Sequence, residues 1–268
     1  MQIESIDIKS WHYYCGTAHN IDGAVHIKHL KSLSIVQSKI GSYGIKIDNG
    51  KEYNTGEGGI FIAPSFAAQK ITHHENPQTH NFKMRYVFID AVINKKYPAD
   101  DIFDFPVIPD SNAIKAFDAD FDNFDKAATL CDKMSCLYQI IKHLLEISTE
   151  KTKFRNKNLY PIIEFIARNY MKNISVGDMA KLINMSESNL YSSFKKAYGT
   201  SPVKYLTDYR LSVASEQLLC SGDSIKNIAE SVGIPDQFYF SKLFRAKYAS
   251  SPQKYRKETQ VLFKTKEN

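Results

Sequence analysis

The feature that most restricts this chain is an internal repeat. FKKAYGTSPVKY (Phe194–Tyr205) aligns with FRAKYASSPQKY (Phe244–Tyr255) at an offset of 50 residues, with six of the twelve positions identical. Upstream, DMAKLI (Asp178–Ile183) resembles NIAESV (Asn227–Val232) at an offset of 49. The duplicated unit spans a helix, a turn and a second helix, and a unit used twice is a stronger signal than any lone motif.

Each copy has the anatomy of a helix-turn-helix. In the first, Met179, Ala180 and Ile183 give an apolar face, with Ala180 small enough for close helix approach. Asn184 then stands where the chain must turn, and Gly233 stands there in the second copy. Asn and Gly are the residues that accept left-handed backbone, so one requirement explains both choices. Ser186 and Asp236 fit as N-caps of the second helices. Leu190 and Phe194, and likewise Phe240 and Phe244, lie four apart and pin those helices to a core. That leaves Ser188, Tyr191, Ser192 and Lys195 outward in one copy, and Gln237, Phe238, Ser241, Lys242 and Arg245 in the other.

Between the copies, Ser201–Gly222 reads as one long helix, with Pro202 in its first turn and Gly222 as its C-cap. Leu206, Tyr209, Leu211, Ala214 and Leu218 are its apolar contacts to both units. Such a helix holds two recognition helices in one relation, and successive major grooves lie about 34 Å apart.

These residues resemble the DNA-binding domain of the AraC/XylS family of bacterial transcription regulators. The resemblance rests on DMAKLINMSESNLYSSFKKAYGTSPVKYL, on the Tyr209-Arg210-Leu211 helix and on SIKNIAESVGIPDQFYFSKLFRAKYASSPQKYR. It implies seven helices, two helix-turn-helix motifs (about 176–197 and 224–247) and binding to promoter DNA. Carried over by position, the base-facing residues are Ser188 and Ser192 in the first unit, and Gln237, Phe238 and Lys242 in the second. Ser192 departs from the pattern, because Arg is frequent there and Arg is the usual bidentate reader of guanine. The serine weakens guanine reading and makes Tyr191 a candidate for base or sugar contact.

Charge agrees with this division. Residues 156–268 carry 17 Lys and Arg against 10 Asp and Glu, while residues 1–155 carry 18 against 19. A basic half joined to a neutral half suits a polyanion-binding module on a second domain, although a merely basic soluble domain has the same balance. No apolar run reaches the roughly 18 residues of a membrane span, and the N-terminus MQIESIDIKS lacks a signal core. Four scattered cysteines, without a CxxC pair, argue against a zinc site or a disulfide framework. The expectation is a cytoplasmic protein.

The front hundred residues read as β structure. His26–Ile35, Tyr43–Ile47, Gly59–Ile62 and Phe82–Asp90 are short and apolar, and turn signals such as Asp48-Asn49-Gly50 separate them. Past Pro109 the period becomes 3.6: Leu130, Met134, Leu137, Ile141, Leu144 and Leu145 mark a helix from about Asp125 to Ile147. The acidic stretch Ala116–Asp125 before it suits a helix N-terminus, and Ser148–Asn158 is the linker candidate. The fold class is therefore α+β: a β-barrel over 1–110, resembling the family's cupin-like sensor domain, dimerisation helices and linker over 111–155, and an all-α DNA-binding domain over 156–268.

Other chemistry fits less well. A metal-dependent cupin needs a His-x-His pair, which His26, His29, His73, His74 and His80 do not supply. Adjacent His73 and His74 would face opposite sides of a strand, and a loop or surface role is the expectation for them. Asp118-x-Asp120-x-Asp122 begins like a calcium loop but has Asn123 and Thr129 where Gly and Glu belong. Cys131 and Cys136 are not one-turn partners, and buried or neutral thiols are expected. No Walker A sequence, GxSxG or HExxH occurs. No catalytic residue, cofactor or metal is assigned, and the chain is read as not an enzyme. The function expected is a sequence-specific transcription regulator that binds double-stranded promoter DNA. A small-molecule effector and RNA polymerase follow from the resemblance, and a homodimer from the apolar face of Leu130–Leu144. The alternatives are a cupin-type enzyme with a helical accessory domain and a constitutive dimeric regulator.

Overall fold

The computed structural model describes residues 2–19, 21–28, 30–48, 50–95, 97–151 and 157–263. The chain divides into two compact units, residues 1–28 with 32–152 and 261–268, and residues 29–31 with 153–260.

The first unit is built on two antiparallel sheets. One runs β1 (Ile6–His19), β8 (Asn81–Ile93), β3 (Leu33–Ile40), β6 (Ile60–Ala63), with β9 (Tyr97–Pro98) also paired to β8. The other runs β2 (Val25–Lys28), β7 (Gln69–His74), β4 (Ser42–Ile47), β5 (Glu52–Asn54). Tyr43 and His73 on the second sheet meet Phe61 and Phe82 on the first, with ring centroids 5.0–5.3 Å apart. That cluster is the middle of the sandwich core. Among the described residues no strand pairs from one sheet to the other, so the expected barrel is, by its hydrogen bonds, two open sheets.

Local sequence explains several strand ends. Asp48 takes the left-handed conformation at the β4–β5 turn (φ 48°), its carboxylate accepts from Ala68 N at 2.7 Å, and Gly50 N donates to Ile47 O at 2.9 Å. Asn49 of that turn lies outside the described residues, as do His29 and residues 152–156 of the expected linker. The expected strand His26–Ile35 is two strands, β2 and the start of β3. Strand β1, paired with β8 from Ile6↔Ile93 to His19↔Asn81, has no expectation behind it, because its aromatic and polar residues do not alternate cleanly.

His73 corrects the surface reading. It is 1% exposed, its Nδ1 lies 3.1 Å from Ala24 O, and burial lowers its pKa to about 4. It is a neutral core histidine. Of the cysteines, Cys131 is exposed rather than buried, while burial raises the pKa of Cys15 and of Cys136.

The helical part of this unit also departs from expectation. Among the described residues three helices follow the strands: α1 (Ala99–Ile102), α2 (Ser111–Lys126) and α3 (Leu130–Glu146), of which α3 is the helix expected from about Asp125 and α2 was not expected. Asp110 caps α2, accepting from Asn112 N and Ala113 N at 2.9 Å, and a Thr129–Asp132 capping box opens α3. The acidic stretch is therefore helix interior, not a helix start. Phe117, Phe121 and Phe124 form its buried stripe, and Phe124 stacks on Tyr13 at 4.2 Å. One position further round, Asp118, Asp122 and Asp125 meet the buried Arg85 of β8. Asp120 holds His143 Nδ1 at 2.7 Å and ties α2 to α3.

On α3, Leu137, Ile141 and Leu144 are 0–4% exposed within one chain. Leu33, Ile89, Ala91 and Ile93 line a small void together with Ile141 and Leu144, so the sheet covers this face. The apolar stripe from which a dimer was expected is thus used within the chain, and of the residues expected on it Leu130 is exposed.

The second unit holds seven helices among its described residues: α4 (Tyr160–Asn169), α5 (Val176–Leu182), α6 (Glu187–Tyr198), α7 (Pro202–Cys220), α8 (Ile225–Ser231), α9 (Gln237–Tyr248) and α10 (Pro252–Phe263). No helix among the described residues is long and apolar enough to cross a membrane.

Candidate nucleic-acid interface

The two copies of the repeat build two like helix pairs. Ser175 and Asp178 form a capping box on α5, and Ser224 caps α8 by accepting from Asn227 N at 3.0 Å. Both pairs then turn through left-handed backbone, at Asn184 (φ 54°) and at Gly233 (φ 76°). Gly233 has a second reason to be glycine. A Cβ there would lie 2.7 Å from Met171 O and 2.8 Å from Tyr170 O. Beyond the turns, Ser186 accepts from Asn189 N at 3.3 Å, and Asp236 accepts from Phe238 N and Tyr239 N at 2.9 and 3.0 Å.

Each recognition helix is fixed from behind by the same aromatic triangle. Phe194, Tyr198 and Tyr205 have centroid separations of 4.6, 5.4 and 5.6 Å. Phe244, Tyr248 and Tyr255, 50 residues later, have 4.3, 5.3 and 5.2 Å. Leu190, Phe194, Phe240 and Phe244 are fully buried, as their spacing requires. The connecting helix α7 starts at Pro202 behind the N-cap Ser201 and buries Leu206, Tyr209, Leu211, Ala214 and Leu218. Its end corrects the expected glycine cap: α7 stops at Cys220 with Ser221 as an extended C-cap, and Gly222 is not left-handed.

Two cations to which the sequence alone assigned no role set the geometry. Arg210 of α7 donates to Tyr170 O at 2.7 Å and Lys172 O at 2.8 Å, satisfying carbonyls beyond the end of α4. Lys247 of α9 donates to Asp208 O at 2.9 Å with the Asp208 carboxylate at 3.4 Å, and Tyr248 OH donates to Leu211 O at 3.1 Å. Partners 37–40 residues away left no local signal for these roles. Burial lowers the Lys247 pKa to about 8, against an ordinary 10.5. Between those values the unfolded chain holds the extra proton, so stability rises with pH in that window. Lys247→Met should lack this rise. Thermal melts of both proteins at pH 7, 8.5 and 10 check it, and parallel curves for the two count against it.

With this backing in place, the outward residues stand where the repeat put them. Ser188, Tyr191, Ser192 and Lys195 are exposed on α6, and Gln237, Phe238, Lys242 and Arg245 are exposed on α9. Ser241 is half-buried. Phe238 is 89% and Tyr239 55% exposed, so neither packs into the core. Lys195, Lys196, Lys242 and Arg245 make no ion pair among the described residues, whereas Arg168, Lys204 and Lys226 are held by carboxylates four positions away. Among the described residues no group of three or more His, Cys, Asp or Glu is placed to hold a metal ion.

Residues 179–258 match the family described as "Helix-turn-helix domain". The C-terminal unit carries an AraC-type helix-turn-helix domain. Similar curated proteins include the lactose operon transcription activator of Staphylococcus xylosus, 37% identical over 127 residues (46% of each chain). Another is the raffinose operon transcriptional regulatory protein RafR of Pediococcus pentosaceus, 39% identical over 95 residues (35% of this chain, 34% of that one). The match spans less than half the length of either relative. ToxT of Vibrio cholerae has a similar fold across both units, with a TM-score of 0.66 at 12% identity over 93% of this chain and 99% of that one.

Proposed function

We propose that this chain is a sequence-specific, DNA-binding transcription regulator acting in the cytoplasm. The observation that carries the reading is the pair of recognition helices, backed by like aromatic triangles and bearing exposed polar side chains and cations without an ion pair among the described residues. Similarity to regulators of the lactose and raffinose operons supports it. In this reading Ser188, Tyr191, Ser192 and Lys195 of the first unit, and Gln237, Phe238, Ser241, Lys242 and Arg245 of the second, form the DNA surface. The two-sheet unit serves as a cupin-like sensor of a small molecule. The fold neighbour ToxT was solved with an unsaturated fatty acid bound, which supports a small-molecule effector. RNA polymerase and a second copy of the chain are the protein partners.

Reading and holding separate on α9. Gln237 can pair bidentately with adenine, and Lys242 can reach guanine or phosphate. Lys195 and Arg245, near the ends of their helices, suit phosphate, which sets register without reading sequence. On a duplex selected from a random pool, Gln237→Ala is expected to cost about 1–3 kcal/mol and relax one base position. Arg245→Ala should weaken selected and scrambled duplexes alike and lower the salt slope by about 1. Titrations at several salt concentrations decide this. Equal loss on both duplexes for Gln237→Ala removes it from the reading set, and absence of salt-sensitive binding by the wild type removes the proposal.

A further inference from the structure

The two recognition helices share a backbone plan and differ in chemistry. At the offset of 50, Ser188 corresponds to Phe238, Asn189 to Tyr239 and Ser192 to Lys242. At those positions the first helix presents short hydroxyls and an amide, with Tyr191 exposed beside them, and the second presents an aromatic pair and a cation. A serine hydroxyl pairs with either class of base and discriminates little. The second helix has the side chains that discriminate.

Phe238 is the residue that needs explaining. It is 89% exposed and makes no ring contact among the described residues, so it adds nothing to the core. Its position is nevertheless held: the Asp236 carboxylate accepts from the N–H groups of Phe238 and Tyr239, which fixes the first turn of α9. The N-terminal residues of a recognition helix are the ones that reach base edges. The apolar group that the major groove offers there is the C5-methyl of thymine. Gln237, adjacent in the chain, suits adenine, the partner of thymine in the same kind of base pair.

We propose that Phe238 reads a thymine methyl and that the DNA site is asymmetric, with base discrimination concentrated in the half-site of α9. This rests on the DNA-binding function proposed above. In the half-site of α6, Lys195 holds phosphate and sequence matters less.

The test uses the full chain and a duplex selected by it from a random pool. Thymines are replaced one at a time by deoxyuridine, which keeps every hydrogen-bonding edge and removes only the methyl. At one or two positions in one half-site, wild-type affinity should fall roughly fourfold, the effect of withdrawing one buried methyl group. Phe238→Ala should bind the unmodified duplex on the order of tenfold more weakly. It should also be indifferent to deoxyuridine at those positions, while its melting temperature stays at the wild-type value. If the wild type shows no salt-sensitive DNA binding, the proposed function itself fails. If it binds DNA but ignores deoxyuridine everywhere, or if Phe238→Ala keeps the same sensitivity, the methyl assignment fails and DNA binding stands. Selected sites with equal base preference in both half-sites overturn the asymmetry.

Discussion

Replacing Arg85 by methionine is expected to destabilise the sheet-bearing unit by about 3 kcal/mol, the lower end for removing one partner of a buried charge cluster. Arg85 is 2% exposed on β8. Its guanidinium donates to Gln37 Oε1 at 2.9 and 2.7 Å, to Asp118 Oδ1 at 2.6 Å, to Asp125 Oδ2 at 3.2 Å and to Asp122, and it lies 5.2 Å from the Phe121 ring centroid. The lower end applies because the three carboxylates are 36–47% exposed and can be rehydrated. Gln37 is 1% exposed and would lose both donors, which adds to the loss. For a unit of this size the melting temperature should fall by about 10 °C. Arg85→Lys should recover part of it, because an ammonium keeps the charge and loses the fork.

The same cluster sets an acid response. Burial works to raise the Asp118 pKa, but hydrogen bonds from Lys39 and Gln37 and the nearby cations outweigh it, and the value is lowered from 3.8. The Arg85 hydrogen bond lowers that of Asp122. A depressed folded pKa stabilises above the unfolded value and stops doing so as pH falls through the folded one. The gap between wild type and Arg85→Met should therefore be full at pH 6 and shrink below 3.8. Melting curves from pH 7 to 3 measure this. A gap that stays constant across that range, or no gap at neutral pH, contradicts the role given to Arg85.

A fragment beginning near Asn156 should fold by itself and bind DNA with strong salt dependence. It carries 17 Lys and Arg against 10 Asp and Glu. Its own core includes both aromatic triangles and the buried face of α7. Lys195, Lys196, Lys242 and Arg245 are exposed and unpaired among the described residues. If these four neutralise four phosphates, the salt slope is about −3.6 and affinity drops on the order of a hundredfold between 50 and 200 mM salt. Circular dichroism and binding titrations test both halves of the expectation. A helical fragment without salt-sensitive binding would defeat it, and so would a fragment that does not fold.

What the sequence by itself determined lies mostly in the C-terminal half. Helix-turn-helix units are local: the turn residues Asn184 and Gly233, the caps Ser186 and Asp236 and the anchors Leu190, Phe194, Phe240 and Phe244 lie within one or two turns of what they control. Outward positions follow by elimination from a helical period, so the exposed face is legible in the sequence. The duplication added a second copy in which every requirement could be checked. The sheet-bearing unit was decided by tertiary structure. Strand β1 is defined by pairing with a partner 62–87 residues away, and two open sheets in place of a barrel depend on which edges pair. The acidic stretch Ala116–Asp125 is a helix interior because its aspartates meet Arg85 from another strand and its phenylalanines meet the sheet. The apolar face of α3 is covered by β3 and β8, a choice that periodicity alone leaves open. Local rules act over a few residues; burial and charge pairing act between whichever residues the fold brings together, and only the folded chain decides which those are.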